Sequence, residues 1–324
     1  MTRTSPDPTR TLRPGWRRWT GRLGSAVLVV WGAATAAFLA QLAQPGDRAT
    51  AILNLRTGQV QERSAEELAP INAEYGFESP VLSQYLDHIL GLLRGDLGTS
   101  YQQHRPVWDV VAEQIPPTLA LSATALVLAW VLMPAWVLLT AGRGPATSAW
   151  GAAVETVLAS LPQYWLGAVL VLVFALGLGW FPVVGGSGVA GIVLPALALA
   201  LPLAGFLGQA TRTEFERVLG QPFVLSARLR GAGDLSVRVR HVLRHAALAP
   251  LTLTGWALGA TVSGAVVVET VFTRQGIGRT LVSAVESQDL PIVTGIVVLT
   301  ALVYVAINLA LDALYPFLDP RLTT

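Results

Sequence analysis

The stretch GQPFVLSARLRGAGDLSVRVRHVLRHAALAP, residues 220–250, decides how the rest of the chain can be arranged. It is strongly basic, yet it lies between two segments apolar enough to cross a bilayer. Its arginines and histidines are Arg228, Arg230, Arg238, Arg240, Arg244, His241 and His245. Because an arginine at the centre of a membrane costs about 2.5–3.5 kcal/mol on insertion scales, the stretch is predicted to be a water-facing loop at one membrane face.

Composition places the chain in a membrane. Of its 324 residues, 52% are hydrophobic and only 13% are charged, and the mean hydropathy is +0.54. Soluble domains have about 25% charged residues. The chain has no cysteine, which excludes disulfides, thiolate metal sites and a cysteine nucleophile. All 22 residues counted as Lys and Arg are arginine, so a phosphate-binding P-loop, which needs a lysine, is excluded too.

Six apolar segments are predicted to be membrane-spanning helices, since about twenty residues at 1.5 Å each cross a hydrocarbon core of about 30 Å. They cover residues 23–43, 119–141, 157–179, 189–210, 246–268 and 292–311. The first is longer than the core of a secretory signal, about 7–15 residues, and a poor cleavage sequence follows it. We therefore expect this segment to be retained, and an even number of spans puts both termini on one side.

The arginines orient the predicted spans. With both termini inside, 15 of the 22 arginines fall in inside segments and seven fall outside, five of them in the long region between the first two spans. Positive residues favour the cytoplasmic side, whereas loops beyond about 60 residues largely escape this rule. The two termini and the basic stretch are therefore expected in the cytoplasm, and residues 44–115 outside it.

The spacing inside the basic stretch is more specific than its charge. A short predicted helix ends at Gly231, the usual residue type for a left-handed helix stop, and a His-Val-Leu-Arg-His element follows. This pattern resembles the loop by which permease subunits of bacterial ABC importers, in the dipeptide, oligopeptide and nickel family, engage their ATPase. The first matching element comprises Phe223, Val224, Ser226, Ala227, Arg228, Arg230 and Gly231, and the second His241, Leu243, Arg244, Ala246 and Pro250. The resemblance implies that the first element couples the chain to an ATPase.

A basic loop that only sets topology is the alternative interpretation. Topology needs charge alone, whereas the family pattern also requires Ala227, Gly231 and Pro250. Further motifs resemble the same family, so that the resemblance extends over most of the chain. They are Pro-Gly-Asp at 45–47, Gly-Asp-Leu-Gly at 95–98, the 160–167 segment SLPQYWLG, Gly-Trp-Phe-Pro at 179–182, Glu-Thr-Val-Phe at 269–272, Asp-Leu-Pro at 289–291 and Asp-Pro-Arg at 319–321.

The long region after the first span contains an amphipathic helix pattern. Its apolar positions are Leu82, Tyr85, Leu86, Ile89, Leu90 and Leu93, and the pattern ends at Gly95. An apolar stripe needs a surface to cover it, so we expect this helix to pack on the outer ends of the spans.

The third predicted span suggests a solute pathway. Pro162 removes a backbone donor and kinks a helix, and the freed carbonyl groups are tolerated only against protein or a wet cavity. The candidate pathway residues are Ser160, Pro162, Tyr164, Trp165 and Glu269. Two alternatives remain open: Glu269 as a structural helix-end charge with local partners such as Arg274, and the nearby Trp180 as an interfacial anchor.

Two other classes of protein share single features with this sequence. Gly-Gly-Ser-Gly at 185–188 resembles the nucleophile motif of intramembrane serine proteases, but Ser187 would need a base within reach. His88, His104, His241 and His245 all lie outside the predicted spans. A secondary transporter would usually have internal repeats and ionisable residues at the membrane midplane, whereas Glu155, Glu269 and Asp312 fall near span ends.

The resemblance implies an all-α integral membrane protein with six transmembrane helices, similar to the permeases of type I ABC importers. Its expected divisions are a cytoplasmic segment 1–22, a first helix 23–43, an extracytoplasmic region 44–115, a core permease domain 116–318 with a coupling loop 212–245, and a cytoplasmic C-terminus 319–324. The implied function is import of peptides, peptide-like solutes or metal chelates by alternating access, in the bacterial cytoplasmic (inner) membrane.

The implied partners are a second homologous permease, two ATPase subunits or one fused ATPase, an extracytoplasmic solute-binding protein and membrane lipid, with no nucleic acid. ATP and magnesium would bind the ATPase partners, so this chain is expected to carry no cofactor, catalytic residue or metal ligand. A bare metal ion is not the expected cargo, because soft or borderline ions need imidazole or sulfur ligands. The chain has no cysteine, and its methionines are Met1 and Met133.

Overall fold

The computed structural model describes residues 15–43, 46–183, 186 and 188–318, with the backbone alone at 15–20 and 311–318. Within these ranges the chain forms helices and turns, apart from one isolated β-bridge between Thr99 and Pro106. In chain order the α-helices are α1 (Gly15–Ala43), α2 (Arg48–Thr57), α3 (Ala65–Tyr75), α4 (Val81–Leu93), α5 (Val107–Ala112), α6 (Ile115–Thr140), α7 (Pro145–Ser160), α8 (Gln163–Leu170), α9 (Ala190–Leu219), α10 (Pro222–Leu229), α11 (Asp234–Val237), α12 (Arg244–Ala246), α13 (Leu248–Val271), α14 (Ile277–Glu286) and α15 (Leu290–Leu318). The predicted all-helical fold is confirmed.

Some of the sequence motifs lie outside the described residues. They are residues 1–14 of the N-terminal segment, Pro45, Gly185, Ser187 and residues 319–324, together with the side chains of Asp312 and Tyr315.

Five described segments are long and apolar enough to span a membrane. They are Gly21–Ala43, Val107–Thr140, Ala190–Leu219, Leu248–Val271 and Leu290–Ala310. A sixth candidate is a bent pair, in which Pro145–Ser160 is followed by Gln163–Gly177 at an angle of 100°. The six predicted spans are therefore present when this pair is counted as one.

The break in this pair corrects the expected continuous helix over residues 157–179. Helix α7 ends at Ser160, Leu161 is extended, and α8 starts directly after Pro162. The physical reason is that proline has no N–H to donate and disfavours a helical conformation in the residue before it. Beyond α8 the chain continues as a π-helix over Val171–Gly177. The sequence predicted a kink here, and the structure has a full break.

Helix α9 is the centre of the bundle. It packs against α6, α7, α8 and α13. More than half of its most apolar 18-residue stretch is buried. Lipid tails are as apolar as leucine, so close packing of small side chains, more than hydrophobicity, holds such helices together. The small residues buried along α9 include Ala196, Ala198, Ala200, Ala204, Gly205 and Gly208.

The region between α1 and α6 has its own small core. Ala49, Ile52 and Ile71 pack with Tyr101, which lies in the turn before α5. This turn is held by the buried carboxylate of Asp289, just before α15, which accepts hydrogen bonds from the Ser100 hydroxyl at 2.5 Å and from the backbone N–H of Tyr101 at 3.1 Å. One acidic side chain thus joins the region to the last long helix.

The predicted amphipathic helix is α4, and its expected packing is only partly found. Tyr85 and His88 lie against Phe38 of α1, with ring centroids 5.3 and 5.6 Å away, and the Tyr85 hydroxyl is 2.8 Å from Thr35 Oγ1. The other face of α4 is exposed in the single chain. Its exposed side chains include Leu82, Leu86, Leu90 and Leu93.

Candidate functional site

Helix α10, which lies in the first of the two elements that match the family pattern, has one buried and one exposed face. Val224 and Ala227 are buried in a cluster that includes Val137 of α6 and Phe215 of α9. Every other residue of the helix is exposed, including Leu229 at 79%. The exposed side chains are Pro222, Phe223, Leu225, Ser226, Arg228 and Leu229, and the exposed Arg230 follows them. The helix is thus fixed by its small apolar residues while it presents leucine and arginine outward.

The end of α10 is set by Gly231, as predicted. Gly231 has φ +84°, its N–H donates to the carbonyl of Arg228 at 2.9 Å, and the Ala232 N–H donates to the carbonyl of Ala227 at 3.2 Å. This pair of bonds is the Schellman motif, in which a left-handed residue lets two terminal carbonyls be satisfied. A side chain with a Cβ is disfavoured at this φ, so Gly231 fixes where α10 stops.

Arg238 is buried, which the expectation of a water-facing loop did not anticipate. Only 3% of the residue is exposed. Its guanidinium donates to the carbonyls of Ala141 at 2.7 Å and Gly142 at 3.1 Å, and to Asp234 Oδ2 at 2.8 Å. A cation is favourable at the C-terminus of a helix, here that of α6. The Asp-x-x-x-Arg spacing was the sequence signal that could have identified this ion pair.

The second element is helical as well, so the whole 220–250 stretch is a folded unit. A π-helix over Arg238–Leu243 contains His241 and Leu243, and α12 contains Arg244 and Ala246. Ala246 and Pro250 are buried. The ring of His245 lies 5.2 Å from that of Phe223. The two elements that match the family pattern are therefore in contact.

A buried ion pair joins α7 to α9 beside this unit. Arg212 donates from Nε to Glu155 Oε2 at 2.8 Å and from Nη2 to Glu155 Oε1 at 2.7 Å, while Nη2 also donates to the Thr140 hydroxyl. Glu155 is 1% exposed. The two parallel bonds are the bidentate geometry that arginine forms with carboxylates. Sequence reasoning placed Glu155 near a span end but did not identify its partner.

The predicted pathway residues fall into two groups. Ser160, Pro162, Tyr164 and Trp165 are exposed at or next to the α7–α8 break. The Ser160 hydroxyl donates to the carbonyl of Val157 at 2.9 Å. Trp180, the possible anchor, is also exposed. The pathway role of the first group stays a prediction.

Glu269 lies apart from that group and has no exposed surface. Its Oε1 accepts a hydrogen bond from the Thr118 hydroxyl at 2.6 Å, and its Oε2 accepts one from the backbone N–H of Gly278 at 2.8 Å. A carboxylate is stabilised at the N-terminus of a helix by unpaired N–H groups, here those of α14. These are the local contacts expected of a structural helix-end charge, with the backbone of α14 as a hydrogen-bond partner. A pathway role for Glu269 stays a prediction as well.

Long apolar helices and one broken span among the described residues are the features of an integral membrane protein. The basic helix α10 is partly exposed beside this bundle. The family model for the inner membrane component of binding-protein-dependent transport systems matches residues 133–324, more than half of the chain. The chain belongs to this family. The predicted class, an importer permease in place of a secondary transporter or protease, is thereby confirmed.

Relatives of known name align with this chain over most of its length. A protein of Brucella abortus (strain 2308), whose name describes a peptide transport system permease, is 31% identical over 93% of this chain and 96% of its own length. The glutathione transport system permease protein GsiC of Escherichia coli O6:H1 is 33% identical over 86% of this chain and 89% of its own. GsiC of Salmonella typhimurium is 32% identical over 86% of this chain and 89% of its own.

Proposed function

We propose that this chain is one transmembrane subunit of an ATP-driven importer that passes peptides or peptide-like solutes from a binding protein into the cytoplasm. The observation that carries the proposal is the fixed helix α10, which buries Val224 and Ala227 and exposes leucine and arginine side chains for a partner. The relatives named for peptide and glutathione transport support the choice of cargo. ATP and magnesium belong to partner ATPase subunits, because the chain has no lysine for a P-loop.

In the proposed topology α10 is cytoplasmic, both termini are cytoplasmic and residues 44–115 are outside, in a bacterial inner membrane. The arginine distribution supports this orientation. Because the chain has no native cysteine, single cysteines report sidedness without background. Glu62→Cys is expected to react with an impermeant thiol reagent added outside intact cells, and Ser236→Cys only after the membrane is opened. Reaction of Ser236→Cys from outside would invert the topology.

The proposed coupling route starts at α10. This helix follows α9 after only Gly220 and Gln221, and Arg212 of α9 is bonded to Glu155 of α7. Helix α7 in turn ends at the break that precedes α8. A displacement of α10 by ATP-driven closure of the ATPases would thus reach the broken span through two rigid helices, and alternating access would follow from their movement.

The glycine that ends α10 provides the test of coupling. In Gly231→Val the side chain must adopt φ +84° or move the end of the helix. We expect the complex to assemble with its six spans inserted, but ATP hydrolysis to lose its stimulation by the solute-loaded binding protein. The measurement is ATPase activity of the reconstituted complex with and without that protein.

Gly233→Val is the matched control, because Gly233 has φ −65° and its Cβ would meet no atom within 4 Å. The control should keep normal stimulation. If Gly231→Val is stimulated as well as the control, the basic stretch sets topology only and the coupling role is wrong.

Cargo is tested by uptake into vesicles that hold the complete complex. Short peptides and glutathione are offered beside a free divalent metal and the same metal as a chelate. We expect uptake of peptides. Efficient transport of the free ion alone would refute the proposed cargo class.

A further inference from the structure

A cavity of about 170 Å³ lies beside the α7–α8 break, between α8, α9 and α13. Its lining residues include Leu161, Gln163, Phe206, Trp256 and Thr261. Complete small-molecule pockets usually have about 300–1,000 Å³. The size therefore fits a subsite that holds one part of a solute.

One wall of the cavity is aromatic. The rings of Phe206 and Trp256 lie 4.7 Å apart, tilted by 43°, and Trp256 is exposed. Aromatic side chains with a few placed polar groups are the usual lining of organic-ligand sites. The wall gives an apolar portion of a solute a surface on which to pack.

The largest polar side chain in the lining of the cavity is that of Gln163. Neither its oxygen nor its nitrogen has a hydrogen-bond partner among the described residues, although the side chain is half-buried. A Cβ on Gly264 would lie 2.2 Å from Gln163 Oε1, so the glycine is what leaves room for the amide. Polar groups at membrane depth face the bundle interior or a wet cavity and seek partners. An amide held without one is available to a ligand.

We propose that Gln163 binds the backbone amide groups of the transported solute while the Phe206–Trp256 wall takes an adjoining side chain. A glutamine side chain carries the same groups as a peptide bond, a carbonyl acceptor and N–H donors, so it forms reciprocal bonds with a peptide amide. Thr261 leaves an acceptor position at the cavity because its own hydroxyl donates to the carbonyl of Leu258 at 2.8 Å. The inference rests on the proposed function and deepens it.

The sequence predicts pathway roles for the neighbours Pro162, Tyr164 and Trp165 but not for Gln163 itself. Gln163 is the first residue of α8. In the sequence it lies between Pro162 and the exposed aromatic residues Tyr164 and Trp165. The signal that could have found it was a glutamine directly after the proline in an otherwise apolar span.

The experiment uses the whole complex in vesicles with its binding protein, and a short alanine peptide beside its N-methylated analogue. Gln163→Met keeps the length of the side chain but removes the amide. We expect the KM for the alanine peptide to rise about tenfold, the effect of one lost hydrogen bond. The preference of the unaltered complex for the peptide over its N-methylated analogue should disappear in the variant. Gln59→Met, the same change at an exposed position outside the spans, is the control and should change neither value.

A second variant keeps the test decisive if Gln163→Met fails to assemble. Trp256→Leu alters an exposed ring, and we expect it to raise the KM for a phenylalanine peptide more than for an alanine peptide. An unchanged KM and unchanged discrimination in Gln163→Met overturn the subsite while peptide uptake by the unaltered complex leaves the proposed function standing. Equal effects of Trp256→Leu on both peptides also overturn it. If the unaltered complex takes up no peptide, the proposed function fails and the subsite with it.

Discussion

Two buried carboxylates, Glu155 and Glu269, are held in opposite ways. Glu155 lies against a buried arginine, and its two oxygens meet two guanidinium nitrogens of Arg212. Glu269 meets a hydroxyl and the backbone N–H groups that start α14. The first arrangement joins two long helices through a pair of charges, and the second fixes a short helix with one charge and neutral donors.

The two arrangements differ in what their disruption costs. A buried ion pair contributes little net stability, because both charges lose their hydration. Removing only one of the two partners is nevertheless strongly destabilising. Replacing a carboxylate that accepts from backbone N–H groups costs less stability, because the groups left without a partner are neutral donors and not a buried charge. The α7–α9 junction is therefore the more vulnerable of the two to the loss of one partner.

The largest expected effect comes from breaking the ion pair on one side. Glu155→Gln removes the bidentate carboxylate from the buried Arg212 guanidinium, which cannot deprotonate. Among the described carboxylates this guanidinium keeps only the more distant, part-exposed Glu216, whose Oε1 lies 3.8 Å from Nη1. We expect the chain to lose about 3–5 kcal/mol of stability, measured as the thermal unfolding of the purified complex in detergent. The double variant Glu155→Met with Arg212→Met removes both charges and should recover most of that loss. A double variant as unstable as the single one would show that the two residues do not act as a pair.

A smaller effect is expected at Glu269. In Glu269→Gln one oxygen is replaced by an NH₂ group, which cannot accept from Gly278 while the Thr118 bond is kept, so one buried donor is left unsatisfied. The expected loss is about 1–3 kcal/mol, confined to the start of α14 and measured by hydrogen exchange of its amides. Glu286→Gln, at the exposed end of the same helix, is the matched control and should leave exchange unchanged. Equal exchange in the two variants would mean that Glu269 does not hold α14.

The sequence predicted these regions unevenly. Spans were predictable because their apolar composition and length are local properties, and the Gly231 stop because it depends on one residue's backbone. The burial of Arg238 and the partner of Glu155 were not, since each depends on an atom supplied by a helix distant in sequence. Pro162 lies between these cases: the loss of its N–H predicts a disturbed helix, whereas the 100° angle depends on how α7 and α8 pack on α9.

The smallest expected effect concerns a half-buried polar side chain, His88, which lies on α4 outside the spanning helices. It stacks on Phe38 of α1, and its Nε2 is buried without a hydrogen-bond partner within the described structure. Burial lowers the pKa of His88 below its ordinary value, and a hydrogen bond to the backbone of Ala34 opposes this only in part. The packed state therefore favours the neutral ring.

The sign of the pH effect follows from this lowered pKa. As the pH falls through about 6.5, the ordinary pKa of histidine, the detached state of α4 takes up a proton before the packed state does, so the α1–α4 contact is stable above that pH and weakens below it. Hydrogen exchange of the α4 amides, corrected for the intrinsic pH dependence, should therefore show protection falling between about pH 7 and 5.5.

His88→Phe should keep its protection across that range, since it retains the ring contact without a titrating group. His104→Asn, at an exposed histidine with φ +52°, should behave as the unaltered protein does. The same loss of protection in His88→Phe would assign the pH effect to another group.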